Sequence, residues 1–290
     1  NDYNRPGTFI VPLNGLTTAG VSQLYDGNIR AITWFSKKTA GGSDAPSTYA
    51  FAYDKNAQLT DSKWGTPSFA SQSFTETPNV NKETISYSAN GNISTLVRKN
   101  NAGAIMDNFA YSYVNNTNRL SSIASHISFD YTPAGQVKRV TRTGNPDWYM
   151  KYTHGGFTEG IYNDNIYTSP RVKYTYDEAG LRISETDYLT NTTTYYVYES
   201  SSSDIIAIYT KVGAGTPVIK EQPIYGDAAR LGTFFRTGTS TGNYQYELCD
   251  HNGNVRVVIS TANIGGQPDV VQYNDFYPFG YPLARGGVGY

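Results

Sequence analysis

The stretch YELCDHNGNVRVVIS, residues 246–260, holds Tyr246, an Asp250-His251 pair, Asn-Gly-Asn at 252–254, Arg256 and then an apolar run. Asp250, His251 and Arg256 invite a catalytic reading. The same letters also describe a tight turn between two β-strands. Adjacent strand residues point to opposite faces, so Asp250 and His251 would not share a site within a strand. In a turn, Asp250 accepts backbone N–H bonds and Asn252-Gly253 makes the reversal. The stretch is not unique in this chain, and that favours the turn.

Laid beside it are YDGNIRAITW (25–34), YDKNAQLTDS (53–62), YSANGNISTLVR (87–98), YVNNTNRLSSI (113–123), YTPAGQVKRVT (131–141) and YDEAGLRISET (176–186). The shared form is a Tyr, often an Asp, one to three turn formers, then alternating residues. The turn positions are Tyr25, Asp26 and Gly27; Tyr53 and Asp54; Tyr87 and Gly91; Tyr131 and Gly135; Tyr176, Asp177 and Gly180; and Asp250, Gly253 and Asn254. Such a unit reads as a β-hairpin. The Tyr ends the first strand, and Gly supplies the positive φ that a tight reversal needs. Alternation after the turn leaves one face covered and one wet. Isolated hairpins are marginal, so successive ones are expected to pair edge to edge in one continuous sheet.

Composition agrees. Tyr occurs 26 times and Gly 28 times, with charged residues at 16%. Tyr favours strands and can bury its ring while its hydroxyl stays wet. The expected fold class is all-β: stacked hairpin repeats in a curved or spiralling antiparallel sheet. The reading divides the chain into an irregular repeat region over 1–200, a degenerate repeat with loops over 201–243, and a C-terminal segment over 244–290. Polar loops are expected at 36–48, 61–82, 143–168, 199–204, 212–217 and 236–243, and a brief helical turn around 225–231.

The net charge of −1 argues against a nucleic-acid partner. Cys249 is the only cysteine, which excludes an intrachain disulfide and a cysteine-based zinc site. No apolar run reaches the ~18 residues of a transmembrane helix. His126 and His154 lack the spacing of metal ligands, so no metal or cofactor is expected. The Gly-rich GGFTEG (155–160) lacks the context of a phosphate loop. Asn92, Asn115 and Asn191 begin Asn-x-Ser/Thr triplets. The opening NDYNRPGTFI reads like the interior of a longer polypeptide.

The units resemble the YD repeats of the RHS (rearrangement hotspot) family, weakly over 20–200 and strongly over 244–283. YDEAGLRISET is close to the form Tyr-Asp-x-x-Gly-x-apolar. YELCDHNGNVRVVIS resembles the signature of the RHS-associated core. YNDFYPFGYPL (273–283), with Tyr277, Pro278, Phe279 and Gly280, resembles the segment that follows it in that core. The resemblance implies a β-sheet that spirals into a hollow shell around other polypeptide, in proteins that bacteria commonly export. Implied partners are the rest of a longer RHS chain, an enclosed cargo or a secretion partner. Localisation would be secreted or at the cell surface. Some family shells free a C-terminal toxin with an aspartyl self-protease, whose motifs lie downstream of the matched segments. Tyr277 stands where an Asp-Pro motif has Asp, so no catalytic residue is carried over and this chain is not expected to be an enzyme. A further alternative is the processing core of a self-cleaving polymorphic toxin whose protease motif lies beyond residue 290, in a longer precursor. A rival for the Tyr row is sugar binding by stacked rings, which would make glycan the partner.

Overall fold

The computed structural model describes residues 16, 21, 27–34, 46–227, 229–236, 241–250, 252–264 and 267–283, with backbone only at 262–264 and 267–268. The described residues contain strands and turns and no helix. The chain forms two compact units, residues 1–111 with 273–290, and residues 112–272.

The first unit contains β1 (Ala31–Trp34), β2 (Ser47–Tyr53), β3 (Leu59–Ser68), β4 (Ser73–Glu76), β5 (Glu83–Tyr87), β6 (Ile93–Lys99) and most of β7 (Ile105–Tyr113). β1 pairs with β2 and β2 with β3. The long β3 meets β4 along Gly65–Ser68 and β5 along Asp61–Ser62. β5, β6 and β7 follow in order. Every described pairing is antiparallel. Two apolar clusters hold this unit. Leu16, Val21, Ala50 and Phe74 form one, and Tyr49, Phe51, Tyr277 and Leu283 the other. The second cluster draws residues 277 and 283 onto β2.

The second unit is a meander. Its strands are β8 (Leu120–Ile123), β9 (Ile127–Tyr131), β10 (Val137–Arg142), β11 (Asn145–Tyr152), β12 (Thr158–Tyr162), β13 (Pro170–Tyr176) and β14 (Arg182–Asp187). They continue as β15 (Thr192–Tyr198), β16 (Ile205–Val212), β17 (Val218–Tyr225), β18 (Arg230–Arg236), β19 (Gly242–Cys249), β20 (Val255–Ile264) and β21 (Gln267–Tyr273). From β8 to β20 each strand pairs antiparallel with the next. The all-β antiparallel hairpin fold is therefore the one the repeat implies.

Three local expectations change. The polar stretch 61–82 contains most of β3 and all of β4, and 143–168 contains β11 and β12. Polar and turn-forming residues are common there, yet a strand wet on one face needs few apolar residues. Among the described residues around 225–231 there is no helical turn; Tyr225 ends β17 and Arg230 opens β18. The segments 35–45 and 237–240, which include much of two expected loops, lie outside the described residues.

Candidate functional site

One turn recurs through both units. In the turn after Tyr176, the Asp177 N–H donates to Leu181 O at 2.9 Å and the Gly180 N–H donates to Asp177 O at 3.1 Å. Gly180 has φ of 85°. The strand then slips by one residue, so Tyr176 faces Arg182 across the ladder. This is a tight reversal closed by a left-handed residue and a bulge. The same two backbone bonds close Asp54–Gln58, Ser88–Asn92, Asn100–Ala104, Thr132–Gln136, Thr153–Phe157, Asp250–Asn254 and Tyr277–Tyr281. Ala57 fills the left-handed position of the first, and Gly91, Gly135, Gly253 and Gly280 that of four others. Gly27 also has positive φ, while Tyr25 and Asp26 lie outside the described residues.

The Asp250 carboxylate is fully used inside its turn. Oδ1 accepts from the Asn252 N–H at 2.9 Å and the Asn254 N–H at 3.0 Å, and the Asn254 amide reaches both carboxylate oxygens. Burial acts to raise the pKa of Asp250. The Asn254 and Asn252 hydrogen bonds and the charge of Arg256 outweigh it and hold the pKa below the ordinary carboxylate value. Asp54 caps its turn in the same way, toward Asn56 and Gln58, and Asp177 toward Leu181. His251 lies outside the described residues. His154 stands within the Thr153–Phe157 turn, and the His126 N–H closes another turn on Ile123 O.

The strand-ending tyrosines share a second feature, which reaches from one hairpin to the next. Tyr131 O–H donates to Leu120 O at 2.6 Å, Tyr152 to Val137 at 2.7 Å, Tyr176 to Thr158 at 2.9 Å, Tyr198 to Arg182 at 2.8 Å and Tyr225 to Ile205 at 3.1 Å. Val137, Thr158, Arg182 and Ile205 are the register partners of Tyr131, Tyr152, Tyr176 and Tyr198. Each phenol thus bonds beside the preceding tyrosine of the series. The first unit repeats the rung: Tyr87 donates to Leu59, the partner of Tyr53, and Tyr53 donates to Ile29. Tyr152 and Tyr225 escaped the sequence reading as strand ends, although each precedes a polar turn. Tyr246 does not hold this place in its hairpin. Cys249 ends β19, faces Val255 across the bulge, and is exposed with a free thiol.

The turn Tyr277–Tyr281 has another role. Phe276 bridges Pro282, and the Leu283 N–H donates to Asp275 O at 2.7 Å, so residues 274–283 form a closed strap. Gly280 takes φ of 80°, Pro278 is partly covered and Phe279 is exposed. Tyr277 is 2% exposed and donates its hydroxyl to Lys99 O at 2.7 Å. Burial, the largest influence, pushes its pKa up to about 12. The Arg98 guanidinium carbon stands 4.3 Å from the Tyr281 ring centre and 5.3 Å from that of Tyr277. Arg98 also bridges two carboxylates, Glu83 through Nε at 2.9 Å and Asp107 through Nη1 at 2.5 Å. Burial alone would lower the pKa of Arg98. The hydrogen bonds and charges of Glu83 and Asp107 outweigh it and raise the pKa above the ordinary arginine value. The sequence reading missed this cluster, because its members come from three strands and a strap far along the chain.

Among the described residues no three His, Cys, Asp or Glu side chains gather to hold a metal. Nor is any helix long and apolar enough to cross a membrane.

No family model matches the chain, and no curated protein matches it closely. Solved structures do give likenesses. The crystal structure of TcdB2-TccC3 without the hypervariable C-terminal region is 12% identical, with a TM-score of 0.42, over 83% of this chain and 12% of that chain. TcdB2-TccC3-TEV is 11% identical, with a TM-score of 0.41, over 82% of this chain and 12% of that one. The Tc holotoxin pore of Photorhabdus luminescens is 12% identical, with a TM-score of 0.41, over 82% and 12%. This chain spans about an eighth of the length of those chains, 12% in each case.

Proposed function

We propose that this chain is a non-enzymatic wall module of an RHS-type β-shell that encloses or carries another polypeptide in a secreted bacterial system. The run of phenol rungs from Tyr131 to Tyr225 carries the reading. A lone hairpin is marginal in water. A rung that ties each hairpin to its predecessor is what a long meander needs to persist as a wall. The polar groups that looked catalytic in the sequence serve construction as well, since Asp250 caps a turn. The sequence resemblance to YD repeats and to the RHS-associated core supplies the rest: a shell, a protein cargo or a longer precursor, and export.

The deciding experiment is the intact mass of native material, with all co-purifying chains identified. A second polypeptide, or a precursor much longer than 290 residues, supports containment. A bare, stable monomer of this length counts against it.

One observation favours a second reading, a surface module that binds glycan. Tyr244, Tyr246 and Leu248 alternate along β19, and all three are exposed. Aromatic rings in an open row can stack on sugars. A glycan array without a saturable hit removes this alternative.

A further inference from the structure

A single row of register partners crosses the first unit. Phe51 on β2 faces Ser62 on β3, Ser62 faces Glu83 on β5, Glu83 faces Arg98 on β6, and Arg98 faces Asp107 on β7. Register partners project to the same side of a sheet. Two carboxylates therefore flank one guanidinium on one face. The strap covers that face, with Tyr277 and Leu283 packed on Tyr49 and Phe51.

Among the described residues the charges in this row do not cancel, because one cation meets two anions. Arg98 satisfies Glu83 Oε2 and Asp107 Oδ2. Glu83 is 1% exposed, and its other oxygen, Oε1, is buried with no hydrogen-bond partner among the described residues. The neighbouring strands bring no further charge to the row. β3 contributes the Ser62 hydroxyl, which bonds the Glu83 backbone, and β2 contributes Phe51. The strap contributes the phenols of Tyr277 and Tyr281 beside Arg98, and it carries one buried carboxyl, Asp275, whereas the charges acting on Glu83 are those of Arg98 and Asp107. A carboxylate oxygen buried without a donor is costly, and so is an excess buried charge. One proton on Glu83 removes the excess charge and leaves a neutral unpaired oxygen, which costs less to bury than an ionised one.

We propose that seating of the strap, residues 274–283, on the first unit is coupled to uptake of one proton by Glu83. Lifting the strap opens the row to water and removes the reason for the proton to stay. By linkage, whatever favours the proton favours the seated strap. Burial raises the pKa of Glu83 above the ordinary glutamate value. The hydrogen bond and charge of Arg98 oppose the rise without cancelling it, and Asp107 adds to it. A raised carboxyl stabilises the closed form fully below its free value, and that stabilisation is lost as pH rises through the raised value. The strap therefore holds tightest below the ordinary glutamate value and loosens as pH rises above it. Tyr277 stays protonated throughout, since its pKa of about 12 lies far above this range.

The test is amide exchange of the strap in the full chain between about pH 5 and about pH 8, corrected for intrinsic exchange chemistry. The reporters are the hydrogen-bonded N–H groups of Tyr277, Gly280 and Leu283. Their protection should fall with rising pH, by up to about tenfold for each unit by which the seated strap raises Glu83. Glu83→Gln keeps the shape without the titration and should flatten the dependence. A flat profile in the parent chain, or a slope that survives Glu83→Gln, overturns the proposal. A slope that disappears only in Asp107→Asn assigns the proton elsewhere and overturns it as well. Should Glu83→Gln fail to fold, carbon-13 titration of the Glu83 carboxyl in the parent decides. A value at or below that of free glutamate overturns the coupling.

Discussion

At the scale of the residue, Tyr176 shows what the repeat asks of its tyrosines. The ring stacks on Phe157 with centres 5.0 Å apart, and the hydroxyl donates to Thr158 O. Tyr176→Phe keeps the ring and removes the bond. The expected loss is ~1 kcal/mol, read as a lower denaturant midpoint for the second unit. No change would mean that the phenol rung holds nothing. The turn glycines separate backbone strain from crowding. Gly180 and Gly253 both take positive φ, at 85° and 80°. A Cβ at Gly180 would stand 2.6 Å from Phe157 Cζ, whereas one at Gly253 meets nothing within 4 Å. Gly253→Val should cost about 1–3 kcal/mol from backbone strain alone. Gly180→Val adds overpacking and should cost about 1 kcal/mol more or beyond. Equal losses in the two variants would mean that Phe157 yields freely. The glycines and aspartates of these turns were legible in the sequence because turn chemistry is local. The acceptors of the phenols were not, since each lies in the preceding hairpin.

At the scale of the element, the hairpin is the unit that repeats, and its limits follow from what one strand can show. YDEAG announces its turn. Lys99 before Asn100 and Phe276 before Tyr277 do not, yet both lead into the same backbone closure. β3 reads as a loop because Ser and Thr recur in it beside a Pro, and β11 because it opens with Asn-Pro-Asp; only pairing on both sides makes them strands. β19 marks where the series of rungs changes. Its last residue, Cys249, stands where β13, β15 and β17 end in Tyr. The matching acceptor for the next rung is Arg230 O, because Arg230 is the register partner of Tyr225. Cys249→Tyr should add that rung, since the thiol is exposed and leaves room for a ring. The expected gain is about 0.5–1.5 kcal/mol, with slower amide exchange at Arg230–Thr233 and no change in the first unit. A neutral or destabilised variant would show that the phenol ladder cannot be extended into β19.

At the scale of the whole molecule, the first unit depends on residues from both ends of the chain, and local sequence patterns give no sign of this. Tyr277 reaches Lys99 across 178 positions. A polypeptide ended after Gln272 lacks the strap and leaves the second unit whole. It removes Tyr277 and Leu283 from the cluster with Tyr49 and Phe51. Burial of each such side chain contributes about 1.5–3 kcal/mol. It also exposes the Arg98 guanidinium, which Tyr281 now covers. Water then screens the Glu83–Arg98–Asp107 row, so the pairs weaken even as their burial cost falls. The net expectation is loss of exchange protection in β2, β5 and β6, with protection in β9 to β18 unchanged. Exchange read by mass spectrometry, strand by strand, distinguishes the outcomes. Protection that falls equally in both units would mean that the strap supports more than its own unit. Protection that falls in neither would mean that the Tyr277–Leu283 contacts are incidental to the fold.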